Sequence, residues 1–158
     1  MVEIDVRTLG DGVGQEIAVS DWLEVSQARI EQFADATGDH QWIHVDPARA
    51  ASELPSKTTI AHGFLTLSLL SPLIRESIRF TGLRMAINYG LNRVRFVSPV
   101  PAGTRIRARL TPTSVDAVSG GFQVTWQVTV EREKSEKPAC VADWLVRYYP
   151  VLTPIPTP

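Results

Sequence analysis

Between Ala36 and Pro47 the sequence reads ATGDHQWIHVDP, which gathers two of the chain's three histidines and two aspartates around a tryptophan. Asp39 and His44 are five positions apart, and on a continuous helix that spacing would turn them about 140° away from each other. In a connector opened by Gly38 they can converge. A carboxylate and an imidazole aimed at one point form a general acid/base pair, able to take a proton from water and return one to carbon. Each residue also has a plainer use, Asp39 as a cap on local amides and His44 as a satisfied interior histidine. A second polar group follows in TIAHGFLTL, where His62 and Gly63 stand at the start of an apolar segment. Free amides and the helix dipole there favour developing negative charge, and a glycine lets a substrate oxygen approach its N–H closely.

These groups need elements to hold them. Ser26 to Thr37 reads as a helix, with Ser26 as cap, Ile30, Phe33 and Ala34 on one face, and Gly38 suited to the left-handed position beyond its end. A further helix starts at Asp46-Pro47, cap and first position, so Asp39 to Val45 is expected to be a short connector between two helices. From His62 to about Ile78 the chain is apolar on almost every side, which predicts a buried helix, with a kink or break at Pro72. Beyond Thr81 the period becomes two. TRIRARL, GFQVTWQVTV and CVADWLVRYY alternate as half-buried strands, INYGLNRVRF is a fourth with a bend at Gly90, and Glu16 to Val19 makes a fifth. The expected architecture is α+β, an antiparallel five-stranded sheet wrapped around a long central helix. Residues 1–150 form one domain in this reading, and 151–158 a Pro-rich tail, extended or frayed.

Composition excludes several classes. The chain has 158 residues, 44% of them apolar, and a net charge of -1. That supports one core and supplies no field to recruit nucleic acid or an anionic membrane. The N-terminus lacks the basic start of a signal peptide, and the longest apolar run, GFLTLSLLSPLI, is too short and interrupted to span a bilayer. The lone Cys140 cannot form an internal disulfide and alternates with Ala142 and Trp144 as core, so a cytoplasmic protein is expected. His40 and His44, with Asp39, Asp46 and His62 nearby, raise the question of a metal, but a connector removes the helical spacing that would make the two histidines a chelate. No metal or cofactor is expected. GDGVGQ at Gly10 lacks the order of a dinucleotide fingerprint. The arginines at 93, 95, 105, 107 and 109 read as a solvated strand face that could also meet phosphates.

The ordered motifs F-x-x-x-T-G-D, I-H-V-D-P-x-x-A and I-A-H-G, spanning Phe33 to Leu70, resemble the hydratase signature of the MaoC-like (R)-specific enoyl-CoA hydratases, whose fold is the hot dog. AINYGLNRVRFVSPVPAG is similar to the branch related to nodulation protein N. The resemblance implies that Asp39 and His44 are the catalytic pair, that the Gly63 amide polarises a thioester carbonyl, and that Gln41 and His62 bind or orient the reactants. It implies syn hydration of a trans-2-enoyl thioester of coenzyme A or acyl carrier protein by a homodimer, since hot-dog proteins join sheet edges to build their pockets. Gln41-Trp42 replaces the usual Asn-Pro, a variant that resembles the same branch. A hot-dog thioesterase and a non-catalytic acyl-binding subunit are the alternatives. The paired HVDP and AHG motifs argue against the first. Retention of a costly polar pair beside a pocket argues against the second.

Overall fold

A computed structural model of the chain describes residues 1–151. Strand β1 (Val2–Asp5), a 3-10 helix over Val6–Gly12, and short strands β2 (Ala18–Val19) and β3 (Leu23–Val25) lead into helix α1 (Gln27–Thr37). A single helical turn, α2 (Trp42–Val45), then precedes α3 (Pro47–Glu53), α4 (Gly63–Ser68) and α5 (Leu70–Ser77). Strand β4 (Ile78–Thr81) and four long strands complete the chain: β5 (Leu83–Phe96), β6 (Thr104–Val118), β7 (Gly121–Arg132) and β8 (Cys140–Pro150).

The caps behave as their chemistry dictates. The Ser26 hydroxyl accepts from the Arg29 N–H at 3.3 Å, Asp46 accepts from the Arg49 N–H at 2.9 Å, and Gly38 closes α1 at φ 77°. Between these ends the connector is shorter than expected, because Trp42 to Val45 coil into α2 with the His44 N–H on the Gln41 carbonyl. The expected central helix is two pieces that meet at Leu69. Pro72 therefore falls in the first turn of α5, where its missing N–H leaves no intrahelical bond unmade.

The main sheet runs β2-β6-β7-β8-β5 with antiparallel pairing throughout, and β3 also pairs with β6. β3 and a separate parallel pair, β1 with β4, were not anticipated from the alternation pattern, because these strands are too short to display a period. One sheet face carries Ile106, Ala108 and Leu110 of β6, Val124, Trp126 and Val128 of β7, and Cys140, Ala142 and Trp144 of β8. With Leu65, Leu69, Leu70, Leu73 and Ile74 of the broken helix they form one buried cluster. Trp126 is fully buried and donates its indole N–H to the Tyr148 hydroxyl at 3.0 Å, so the largest core ring carries no orphan donor. The other face of β6 is a row of ion pairs, Arg105 to Glu133, Arg107 to Glu131 and Arg109 to Glu16.

Among the described residues strand β5 has a neighbour on one side only, and it shifts register at Asn88/Gly90, where the bend was expected. Residues 152–158, most of the Pro-rich tail, lie outside the described residues. Among the described residues no helix is long and apolar enough to cross a membrane.

Leu73, fully buried where α5 meets the core, is expected to cost about 2–5 kcal/mol on Leu73→Ala, read as a lowered midpoint in denaturant unfolding.

Candidate active site

Three elements converge at the N-terminal end of α4. α1 ends at Gly38 and delivers Asp39, α2 presents His44 from its single turn, and the strap before α4 carries His62. Polar atoms of Asp39, His44 and His62 all lie within 4.8 Å of one another. Both histidines are buried, at 6% and 3% exposure, while the Asp39 side chain is 56% exposed. The imidazoles stack at 3.7 Å between centroids and 24° between planes, and Phe33 closes the far side of His62 at 5.0 Å.

The tautomers follow from the partners. His44 Nδ1 lies 2.6 Å from the Ile60 carbonyl oxygen. A carbonyl only accepts, so Nδ1 carries the proton and Nε2 keeps its lone pair. His62 Nε2 lies 2.9 Å from the Asp39 carbonyl, so that nitrogen donates, while Nδ1 is buried without a partner among the described residues. The same Nε2 is 4.0 Å from the Asp39 carboxylate. His62 thus touches both other members, His44 through its ring face and Asp39 through its main chain. With one nitrogen of each imidazole on a backbone carbonyl, the cluster holds the groups that proton transfer needs.

Burial lowers the His44 pKa below the ordinary histidine value, the Ile60 bond pulls the other way, and the neighbouring His62 lowers it further. His44 is therefore a neutral imidazole with a free Nε2 at neutral pH. A cleft of about 300 Å³ is lined by His44, Ile60, Gly63, Thr66 and Phe96 among others. Gly63 opens α4 inside it, and an added Cβ would lie 2.8 Å from the Phe96 ring. Asp39 stands outside that lining, on the exposed side of His62. Gln41 takes part through its backbone, its N–H reaching Asp39 Oδ1 at 3.4 Å, while its exposed carboxamide meets no partner among the described residues. His40 turns away to an exposed pair with Asp35 at 2.8 Å.

The structure adds two residues that no motif indicated. Gln27 Nε2 donates to the His44 carbonyl at 2.9 Å, and the buried Thr59 hydroxyl donates to Gln27 Oε1. Their separations in sequence, 17 and 32 positions, left no local signal. The β6 arginines, considered above for phosphates, are held by glutamates on the outer face. Cys140 is buried core, its thiol pushed up to about 11 by desolvation, and is inert as a nucleophile.

A layer of helices against one antiparallel sheet, with a Gly-initiated helix beside an Asp/His cluster, is a hot-dog fold. The family model for the MaoC like domain matches residues 9–134. The chain is 51% identical over 144 residues to 3-hydroxyacyl-thioester dehydratase Z of Mycobacterium tuberculosis, covering 90% of this chain and 95% of that one. It is 46% identical over 153 residues to nodulation protein N of Rhizobium leguminosarum bv. viciae, covering 92% and 91%. The R-hydratase PhaJ1 of Pseudomonas aeruginosa superposes with a TM-score of 0.66 at 22% identity over 92% of this chain and 90% of that one, a likeness of fold. The chain belongs to the MaoC-like family, and it is a hydro-lyase.

Because His44 is held neutral, the folded protein binds fewer protons than the unfolded chain between the depressed value and 6.5. Stability therefore falls as pH drops through that interval, and the loss is complete below it. Thermal unfolding of parent and His44→Gln from about pH 7.5 to about pH 5.5 is expected to show the steeper fall in the parent.

Proposed function

We propose that the chain is an (R)-specific enoyl-CoA hydratase, adding water syn across a trans-2-enoyl thioester to give the (R)-3-hydroxyacyl thioester, and catalysing the reverse dehydration. The observation that carries this is the joint placement of a neutral His44 and the Gly63 amide on one cleft, with Asp39 linked to His44 through His62. The relative named for 3-hydroxyacyl thioesters supports the substrate class, and the hydratase signature around Asp39 and His44 supports the (R) outcome.

In the hydration direction the thioester carbonyl accepts from the Gly63 N–H, which stabilises the enolate character that grows as C3 is attacked. Asp39 and His44 Nε2 hold one water above C3. As its oxygen bonds to C3, the pair takes one of its protons and delivers a proton to C2 from the same face. His44 Nδ1–H stays on the Ile60 carbonyl throughout, which fixes the ring. His62 orients the pair by stacking on one member and holding the main chain of the other. Gln41 fixes the Asp39 carboxylate through its N–H, and its free carboxamide is available to the water or the substrate.

The assembly proposed is a cytoplasmic homodimer with two sites. Met85, Ile87, Tyr89 and Leu91 are exposed on β5, a fourteen-residue edge strand. A long edge with apolar side chains is what a second copy would cover. Parent protein is expected to sediment as a dimer and Ile87→Lys as a monomer; a monomeric parent removes this part of the proposal.

The reaction is tested with crotonyl-CoA by loss of its conjugated absorbance and chiral analysis of the product. Parent protein is expected to yield the (R)-alcohol, with Asp39→Asn and His44→Ala each lower by at least about a hundredfold in kcat. Release of free coenzyme A would instead identify a thioesterase. No turnover with short, medium or long enoyl thioesters would identify a binding subunit.

A further inference from the structure

We infer that the Gln27 carboxamide and the Thr59 hydroxyl form a clasp that positions His44 and holds its imidazole as the Nδ1–H tautomer. The inference rests on reading His44 as catalytic, but its geometry stands independently.

His44 sits in α2, a helix of four residues whose N-cap, Gln41, makes no side-chain capping bond. One isolated turn does not hold itself, because nucleation fixes several dihedrals for one hydrogen bond. Its geometry must come from neighbours. Two grips act on His44, and both lead to the same segment. The imidazole donates to the Ile60 carbonyl at 2.6 Å, while the Ile60 N–H donates to the Ile43 carbonyl at 3.0 Å. From the other side, Gln27 donates to the His44 carbonyl at 2.9 Å and accepts from Thr59, the residue before Ile60.

That segment is itself anchored. The Ala102 N–H donates to the Thr59 carbonyl at 2.9 Å, the Ala61 N–H donates to the Val100 carbonyl at 2.8 Å, and Ile60 bridges to Pro101. Thr59 is fully buried, so its hydroxyl has no water to exchange with. Gln27 is the first residue of α1, fixed there by the adjacent Ser26 cap. The carboxamide has only one workable orientation. Turned over, its oxygen would face the His44 carbonyl and two acceptors would meet. The clasp thus sets the distance between His44 and the Ile60 carbonyl, and that bond selects the tautomer whose Nε2 is free.

Gln27 and Thr59 are positioning residues, so the test needs a signal that simple destabilisation would leave alone. Gln27→Met removes the amide at similar length, Thr59→Val removes the hydroxyl at the same shape, and Thr59→Ser restores it. Steady-state kinetics on crotonyl-CoA are read beside imidazole nitrogen NMR, which distinguishes Nδ1–H from Nε2–H. Gln27→Met and Thr59→Val are expected to lower kcat roughly ten- to a hundredfold with KM within about twofold, and Thr59→Ser to stay near the parent. The His44 signals should pass from one tautomer to a mixture in the first two variants only. If Gln27→Met does not fold, Thr59→Val and Thr59→Ser decide the matter. Folded variants with parental nitrogen signals overturn the clasp, as does a Thr59→Ser variant as impaired as Thr59→Val. An inactive parent refutes the hydratase reading, whereas an unshifted His44 spectrum in the variants refutes the clasp.

Discussion

The apolar sides of α4 and α5 must be covered, and among the described residues the apolar face of β6, β7 and β8 shares their core. Leu65, Leu69, Leu70, Leu73 and Ile74 lie in one buried cluster with Ile106, Val128 and Trp144. Its geometric consequence lies at the N-terminal end of the helical layer. Once α4 is seated, Gly63 and His62 have a fixed place, and the strap of Thr59 to Ala61 must run beside the chain at Val100 to Ala102. The site is built on that strap.

Burial against a second imidazole keeps His44 neutral, with one nitrogen on a backbone carbonyl. Asp39 lies exposed beside the stack, its main-chain carbonyl on His62. The His44 imidazole is dry and the Asp39 carboxylate wet, so the two side chains meet different environments. The nearby Gly63 opens α4 on the same cleft. Phe96 packed over Gly63 leaves no room for a Cβ, so glycine at this position follows from packing as well as from chemistry.

β5 is the element that the rest of the molecule does not satisfy. It is the longest edge in the fold, it keeps several apolar side chains exposed, and Phe96 at its end lines the cleft. The exposed apolar edge and the cleft are therefore adjacent along one strand. The ion-paired face of β6 is the opposite case, an array of arginine and glutamate side chains that contributes little energy per pair but keeps that face hydrated.

The sequence by itself determined everything that local chemistry governs. Ser26, Gly38, Asp46 and Pro47 set helix ends through their own backbone preferences, and two-residue alternation marked the long strands. The pairing of GDHQWIHVDP with IAHG marked the cluster and the family, and the resemblance rested on side-chain types at fixed order. Tertiary structure decided what depends on contacts between distant segments. The turn at Trp42 to Val45, the short β3, the parallel β1 and β4, and the division of the central helix at Leu69 have no periodic signature of sufficient length. Pro72 announced a break, but packing chose where it fell. Nothing near Gln27 or Thr59 in the sequence points to His44, because their hydrogen bonds form only after the sheet has brought α1, α2 and the strap together. A residue type can be read from one dimension, whereas the tautomer and the neutrality of His44 are properties of the buried partners around it.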